Sequence, residues 1–476
     1  MMTTRDKLYS VIAVYGVICY VVALTAVSLL WHDFALRPLW MAWGLGAVAF
    51  FFLTTWAARR KADKPTEKKF MLAIFLTALA IRVVYVVAIG YYYYYQNGDS
   101  FEYDAADSHA YNDLARYLAL CIHQGAPLRY VLIYLHNAVY PMGFSDQGFT
   151  LWLTLLYTIF GRNNLLIPRL FNALMDAYVC VAIYKLASRS TDSRTARLSA
   201  IICVFMPTMI HYTGLHLKES TMLFVTVMAI ERTDYLIRSR RYNFVNIAAS
   251  VFFTALIFGF RTVLGVAVLA SYVAFIIFAP SDVISRKARI VATTVVAVVA
   301  VVFLLTFVGR EMGDMYRLRF KTLGLLSEKY EKIGLRHAEL AQNRYLAPGV
   351  FVFPLSTLTE VGNSNQKMMT GDTYVKNFLA FFVMWAFVVM TRRKEWRNFS
   401  LVGAFAVAYA GILALSCFVM SERYHFPLLP FYAIMAAYTL THFRRKDFPF
   451  FYAYCTLLVA VLVAWNFLKL SARGLV

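Results

Sequence analysis

The sequence predicts an all-α fold: a polytopic transmembrane helical bundle of about 13 spans, with juxtamembrane helices in its first large external loop. Three observations predict it. The chain of 476 residues is 61% hydrophobic, with mean hydropathy +0.59. Many of its windows reach the roughly 20 apolar residues that a helix needs to cross a bilayer. Its basic residues gather in short loops between those windows, as the positive-inside rule requires of cytoplasmic connections. That distribution also accounts for the formal net charge of +21 and excludes nucleic acid as the partner; the bilayer takes that place.

The spans follow in order. The first apolar stretch, Leu8 to Trp31, is too long for a signal-peptide core and reads as an uncleaved span. The full set is 8–31, 38–58, 70–94, 168–187, 197–215, 220–237, 243–260, 263–279, 289–308, 375–391, 399–420, 426–442 and 449–470. Six basic clusters orient them: Arg59 to Lys69, Lys185 to Arg197, Arg238/Arg240/Arg241, Arg286/Lys287/Arg289, Arg392/Arg393/Lys394/Arg397 and Arg444/Arg445/Lys446. With all six in the cytoplasm, the N-terminus lies inside and the C-terminus outside. The chain then divides into two N-terminal spans with a basic loop (1–69), a core carrying an acidic external loop at 96–150 (70–279), and C-terminal spans with a second external loop at 309–372 (280–476).

Several segments depart from simple crossing. Gly148 to Gly161 is apolar but short, and a crossing there would carry the Lys185–Arg197 cluster outside. It is expected to be a re-entrant or interface-lying helix. Ser108 to Leu120 is expected to lie flat as well, because Leu114, Leu118 and Ile122 recur at helical spacing against a polar face. In the second external loop, Met315 to Leu346 reads as an amphipathic helix, ended by Pro348, Pro354 and the Gly/Asn/Ser run around Gly362. Tyr91 to Tyr95 fall where an aromatic belt is expected. Of six cysteines, Cys19, Cys180, Cys203, Cys417 and Cys455 lie in apolar spans and Cys121 in a loop; no CxxC spacing suggests a disulfide framework or thiolate metal site.

Charge on the outer face carries the functional signal. The segment Gln96 to Thr150 holds six acids against two bases in an otherwise basic chain. Asp104 and Asp107 follow the third span there, and Asp107 or Ser108 is placed to cap the flat helix. Lys218 and Glu219 (HLKES), Arg261 (GFRT), and Glu422, Arg423 and His425 (SERYHFPLLP) occupy three further outer turns. An ionisable group at membrane depth costs about 2.5–3.5 kcal/mol unless partnered, so such groups mark function or a structural pair. Two carboxylates with several cations make a site that can hold an anion and supply a base. Each residue also has a plainer use: Arg261 and Arg423 could snorkel to headgroups, Lys218–Glu219 could be an interfacial pair, and His425 suits a helix-end hydrogen bond better than a metal. Asp176, inside a span, is expected to pair with a neighbouring helix and to have no catalytic role.

Four stretches then resemble the GT-C class of polytopic glycosyltransferases, nearest to the aminoarabinose-transferase and protein-mannosyltransferase group. Asp107-Ser-His-Ala-Tyr111-Asn-Asp-Leu-Ala115-Arg116 resembles that family's first-external-loop motif. Tyr140-Pro141 followed by LWLTLLYTIFG resembles its short helix ending in Phe-Gly. Arg169 to Arg189 resembles the next span, and Pro207 through Lys218-Glu219 the span ending in a second acidic residue. The likeness covers about Ile81 to Glu231. It implies that Asp107 is the catalytic base toward an acceptor hydroxyl, with inversion at the sugar carbon, and that Glu219 is the second acidic residue. It also implies that Lys218, Arg261 and Arg423 hold the phosphate of a polyprenyl-phosphate sugar donor. Asp104, Tyr111 and His425 complete the substrate-binding candidates. Asp-Ser at 107–108 stands where relatives often have paired acids, so a divalent ion (Mg or Mn) is a possible rather than an established cofactor.

The reading is therefore an extracytoplasmic membrane glycosyltransferase passing a sugar to a glycan, lipid or protein acceptor, with a bacterial inner membrane as the expected location. An O-antigen polymerase or ligase using undecaprenyl-diphosphate glycans is the alternative, and would put its decisive residues in 309–372. A lipid-linked sugar transporter would show repeats and paired discontinuous spans, neither of which is visible.

Overall fold

The computed structural model describes residues 4–62, 65–103, 105–139, 147–161, 164–287, 289–291, 293–294, 305, 313, 317, 349, 351, 356–360, 364–415, 422–471 and 473–476. Asp104, Cys417, most of the expected helix 315–346 and most of the expected span 289–308 lie outside them. The described residues form helices and no sheet: α1 (Thr4–Leu30), α2 (Pro38–Ala62), α3 (Glu67–Asn97), α4 (Ala106–His123), α5 (Leu128–Val139), α6 (Gln147–Phe160), α7 (Leu166–Ser190), α8 (Ser193–Phe205), α9 (Pro207–Thr213), α10 (Glu219–Arg238), α11 (Phe244–Phe260), α12 (Thr262–Phe278), α13 (Ser364–Met368), α14 (Thr370–Arg393), α15 (Ser400–Leu415), α16 (Glu422–His425), α17 (Leu429–His442) and α18 (Phe448–Ser471).

Seven helical stretches among the described residues are long and apolar enough to cross a bilayer: Leu8–Leu30, Pro38–Ala62, Glu67–Asn97, Leu166–Ser190, Thr370–Arg393, Trp396–Ala414 and Arg445–Ser471. Apart from 289–308, the other expected spans have shorter or more charged counterparts. Phe244–Phe260 and Thr262–Phe278 are apolar helices of 17 residues each. The α10 helix carries Glu231, Arg232 and Asp234 in its second half.

The expected span 197–215 is broken in two, and the cause is chemical. Pro207 has no N–H, so the Cys203 carbonyl loses its helical donor. Arg82, buried in α3, fills the gap: Nη2 donates to the Cys203 carbonyl at 3.1 Å and Nη1 to Val204 O at 3.3 Å. A charge inside an apolar helix thus seals the backbone where α8 ends and α9 begins. The redirected chain then runs through Gly214 to Lys218. Gly214 packs so closely that a Cβ would meet Tyr85 and Ile89 at under 3.0 Å.

The short apolar segment at 148–161 forms a single helix up to Phe160. Helix α6 has 14 residues and packs along α4. One face buries Phe149, Leu153 and Tyr157, whereas Leu155, Ile159 and Phe160 stay exposed. Gly148 and Gly259 let α6 touch α11, since a Cβ at 148 would lie 2.9 Å from the Gly259 carbonyl oxygen. Helix α4 covers the segment expected to be flat and includes Cys121, which is therefore helical and buried rather than in a loop. Tyr91, Tyr94 and Tyr95 are exposed at the end of α3, which Gly98 closes in a left-handed conformation (φ 76°) that suits glycine.

Candidate active site

Four of the turns expected on the outer face converge. Asp107 sits in the first turn of α4, where Ala105 rather than Asp107 or Ser108 is the capping residue. Lys218 precedes α10 and Glu219 begins it, Arg261 joins α11 to α12, and Arg423 lies in α16. Arg423 is the hub. Its Nη1 lies 2.5 Å from Asp107 Oδ2, and its Nε donates to Glu219 Oε1. Arg261 Nη2 adds a second cation 3.9 Å from the same Glu219 oxygen. Its guanidinium also lies over the Tyr424 ring, 4.4 Å from the centroid. Lys218 Nζ reaches the Phe260 carbonyl at 3.4 Å and faces the Tyr111 ring at 6.0 Å. Tyr111 in turn meets Phe149 edge to face at 5.3 Å.

Burial divides the two carboxylates. The Glu219 side chain is 0% exposed, whereas that of Asp107 is 60% exposed. Burial alone would push the Glu219 carboxyl up, but Arg423, Arg261 and Lys218 together hold it below the ordinary carboxylate range. Glu219 is thus a fixed anion that keeps two arginines in place. Burial and the Arg261 charge depress the Lys218 ammonium well below its usual value. Burial would lower Arg423, but Glu219 and Asp107 raise it, so it remains a cation. Unfilled hydrogen-bonding capacity remains here among the described residues, at Glu219 Oε2 and Arg261 Nη1. Both atoms are buried, and such groups are costly without a partner.

Sequence reasoning brought together Asp107, Tyr111, Lys218, Glu219, Arg261 and Arg423, and the structure places all six in one cluster. His425 faces away from it: the ring is buried, 2.7 Å from Lys376 Nζ, and stacks on Phe351 at 4.6 Å. Asp104 lies outside the described residues. Asp176 accepts from Thr213 Oγ1 at 2.6 Å, a partner from the neighbouring α9, as expected of a structural carboxylate.

A second network went unread in the sequence. Glu102 accepts hydrogen bonds from Ser108 Oγ and, at 3.3 Å, from the His216 backbone N–H; Arg169 Nη2 lies 3.7 Å away. Arg169 also donates to the Ser100 carbonyl at 2.7 Å. Tyr157 donates to Asn112 Oδ1 at 2.8 Å and meets His216 Nε2 at 3.2 Å. Burial, with Arg169 and His109, pushes His216 down to about 3, so its ring is neutral. These contacts clamp the first turn of α4, and hence Asp107, to α7 and to the turn before Lys218. The available signal was Arg169 itself, a charge in the first turn of an apolar helix, directly after Pro168.

Among the described residues, no three His, Cys, Asp or Glu side chains converge to hold a metal ion. Asp107 and Glu219 are both engaged by Arg423, and no step is assigned to a divalent ion. At the opposite end of α10, Arg189 pairs with Glu231 (3.0 Å) and Asp234 (2.6 Å), beside a cavity of about 360 Å³ that Arg238, Arg393, Tyr438 and His442 also line. Arg189, Arg238 and Arg393 there belong to three of the basic clusters.

No family model matches this sequence, and no curated protein matches it. Among solved structures, the chain is similar to the archaeal oligosaccharyltransferase AglB from Archaeoglobus fulgidus, solved with an inhibitory peptide and a dolichol-phosphate. The identity is 13% and the TM-score 0.44, over 86% of this chain and 56% of that one. The chain thus spans little more than half the length of that structure, and peptide and dolichol-phosphate binding are properties of that protein.

Proposed function

We propose that the protein is an integral membrane glycosyltransferase of GT-C type that moves a sugar from a polyprenyl-phosphate donor to a glycan, lipid or protein acceptor. The observation that carries this reading is one arginine, Arg423, gripping an exposed and a buried carboxylate beside Arg261 and Lys218 at the end of a membrane helix bundle. The sequence resemblance around Asp107 and Lys218-Glu219 supports the same assignment.

The chemistry follows from the groups present. Asp107, the accessible carboxylate, takes the proton of the acceptor hydroxyl. The acceptor oxygen bonds to the anomeric carbon from the face opposite the phosphate, which inverts it. The bond between that carbon and the phosphate oxygen breaks, and the electron pair leaves with the polyprenyl phosphate. Arg423, Arg261 and Lys218 receive the added negative charge, and Glu219 holds the two arginines in place. Base assistance of this kind supplies about 10²–10⁴-fold, and preorganised cations supply much of the rest. Thirteen spans, with this cluster extracytoplasmic in a bacterial inner membrane, complete the proposal.

The test is transfer itself. Purified protein in liposomes, given a radiolabelled polyprenyl-phosphate sugar and an extract of envelope glycans and lipids, should move label to an acceptor and release polyprenyl phosphate. Donor that stays intact with every acceptor fraction would reject the reading.

A further inference from the structure

Lys376 has no place in the chemistry above, and its setting is unusual. It lies in α14, inside an expected span, with a side chain only 2% exposed. A lysine buried there is unfavourable unless paired. Its Nζ donates to Glu422 and lies 2.7 Å from His425 Nδ1. Those two residues are the first and last of the four-residue helix α16. The residues between them face the cluster: Arg423 reaches Asp107 and Glu219, and Tyr424 lies against Arg261.

The α16 turn runs on through a 3-10 turn (Phe426–Leu428) into α17, so its C-terminal side is held by that helix. Its first turn has too few hydrogen bonds of its own to offset the ordering of its backbone, and its setting depends further on what its side chains grip. On one side that grip is the Lys376–Glu422–His425 contact, closed by the Phe351 ring stacked on His425. Turned about its axis, α16 would carry the Arg423 guanidinium away from both carboxylates.

We infer that Lys376 is a positioning residue: through Glu422 and His425 it fixes the rotation of α16, and so places Arg423 to receive the donor's phosphate. The inference rests on the function proposed above. It makes Lys376 act on donor recognition and not on acceptor recognition, because Arg423 is the group it places.

The test uses the full-length protein in nanodiscs, with undecaprenyl phosphate as the binding probe. Lys376→Met alone leaves Glu422 an unpaired carboxylate and is expected to lower stability, so the informative variant is K376M/E422Q. That double variant carries no orphaned charge and should keep the wild-type melting temperature within a few degrees. It should bind undecaprenyl phosphate about tenfold more weakly, a change equivalent to roughly 1.4 kcal/mol. In transfer assays its donor KM should rise while its acceptor KM stays unchanged, and Lys376→Arg should restore both donor readouts. Unchanged probe affinity in a folded double variant would overturn the role of Lys376 and leave the wider function standing. A parallel rise in donor and acceptor KM would overturn it too, since general loosening predicts that. Failure of the wild-type protein to bind the probe would reject the function and this inference together.

Discussion

Arg423 Nη1 lies 2.5 Å from Asp107 Oδ2, although 316 residues separate the two in the chain. The contact joins the first turn of α4 to the short helix α16, late in the chain. The buried Glu219 grips the other side of the same guanidinium. Asp107, being exposed, can exchange this partner for substrate, whereas Glu219 cannot.

Glu219 should therefore behave as a structural anion. Glu219→Gln leaves Arg423 and Arg261 short of a buried countercharge, and breaking a buried pair in this way costs about 3–5 kcal/mol. The expected outcome is a clear drop in melting temperature in detergent together with loss of transfer. A fully stable Glu219→Gln protein would show that the arginines have another anchor.

The pH dependence of that anchor has a defined sign. The Glu219 carboxyl is held below its ordinary value by Arg423, Arg261 and Lys218, against the effect of burial. Its contribution to stability is therefore complete above the unfolded pKa of about 4.3 and is lost as pH falls through the lower folded value. His216 acts in a higher window. Burial, Arg169 and His109 lower its folded pKa to about 3, so the unfolded chain takes up a proton first. The folded state should lose stability from about pH 6.5 downward. Melting temperature measured from pH 7.5 to 4.5 should fall, and His216→Gln should flatten that decline.

Glu102 is expected to matter to transfer without touching substrate. Replacing it with Ala removes the acceptor of Ser108 and of the His216 amide and leaves Arg169 buried without its carboxylate. Unmet buried donors cost about 1–3 kcal/mol, more for charged ones. Glu102→Ala should lower both stability and transfer, and the E102A/R169M double variant should recover the part of the stability lost to the unpaired Arg169 while α4 remains loosened and transfer remains low. Full activity in the double variant would show that the clamp does not place Asp107.

The broken helix offers a separate check on the fold. Arg82→Met removes the donors to the Cys203 and Val204 carbonyls and should cost about 1–3 kcal/mol. Adding Pro207→Ala supplies the missing N–H four residues after Cys203, so the R82M/P207A variant should regain part of that loss. Equal and additive losses in denaturant unfolding would contradict the sealing role of Arg82.

Much of the cluster could be read from single residues. Paired charges at short outer turns have no role in apolar packing, which singled out Lys218, Glu219, Arg261 and Arg423. The Asp107–Tyr111 spacing singled out the first turn of α4. What escaped was whatever depended on three-dimensional partners. Glu102 and His216 are unremarkable one at a time, and Arg169, though a charge in an apolar helix, becomes part of a clamp only when α4, α7 and the 214–218 turn meet. Lys376 was hidden by the apolar window around it, and His425 was read with Arg423 because the two are near neighbours, although one helical turn points them in opposite directions. The span at 197–215 counted apolar residues across Pro207 and missed the break that the proline's absent N–H imposes. Burial by packing also suits α8, 13 residues long and buried over most of its length, to a place where a lipid-facing helix would need about 20.

The most direct measurement of the central claim is the single-turnover rate of sugar transfer by Asp107→Asn, at saturating labelled polyprenyl-phosphate donor, with folding checked by melting temperature. Because Asp107 is exposed, the variant should fold normally and still bind donor, while the transfer rate falls by about 10²–10⁴-fold. Transfer at the wild-type rate by the folded variant would contradict the account.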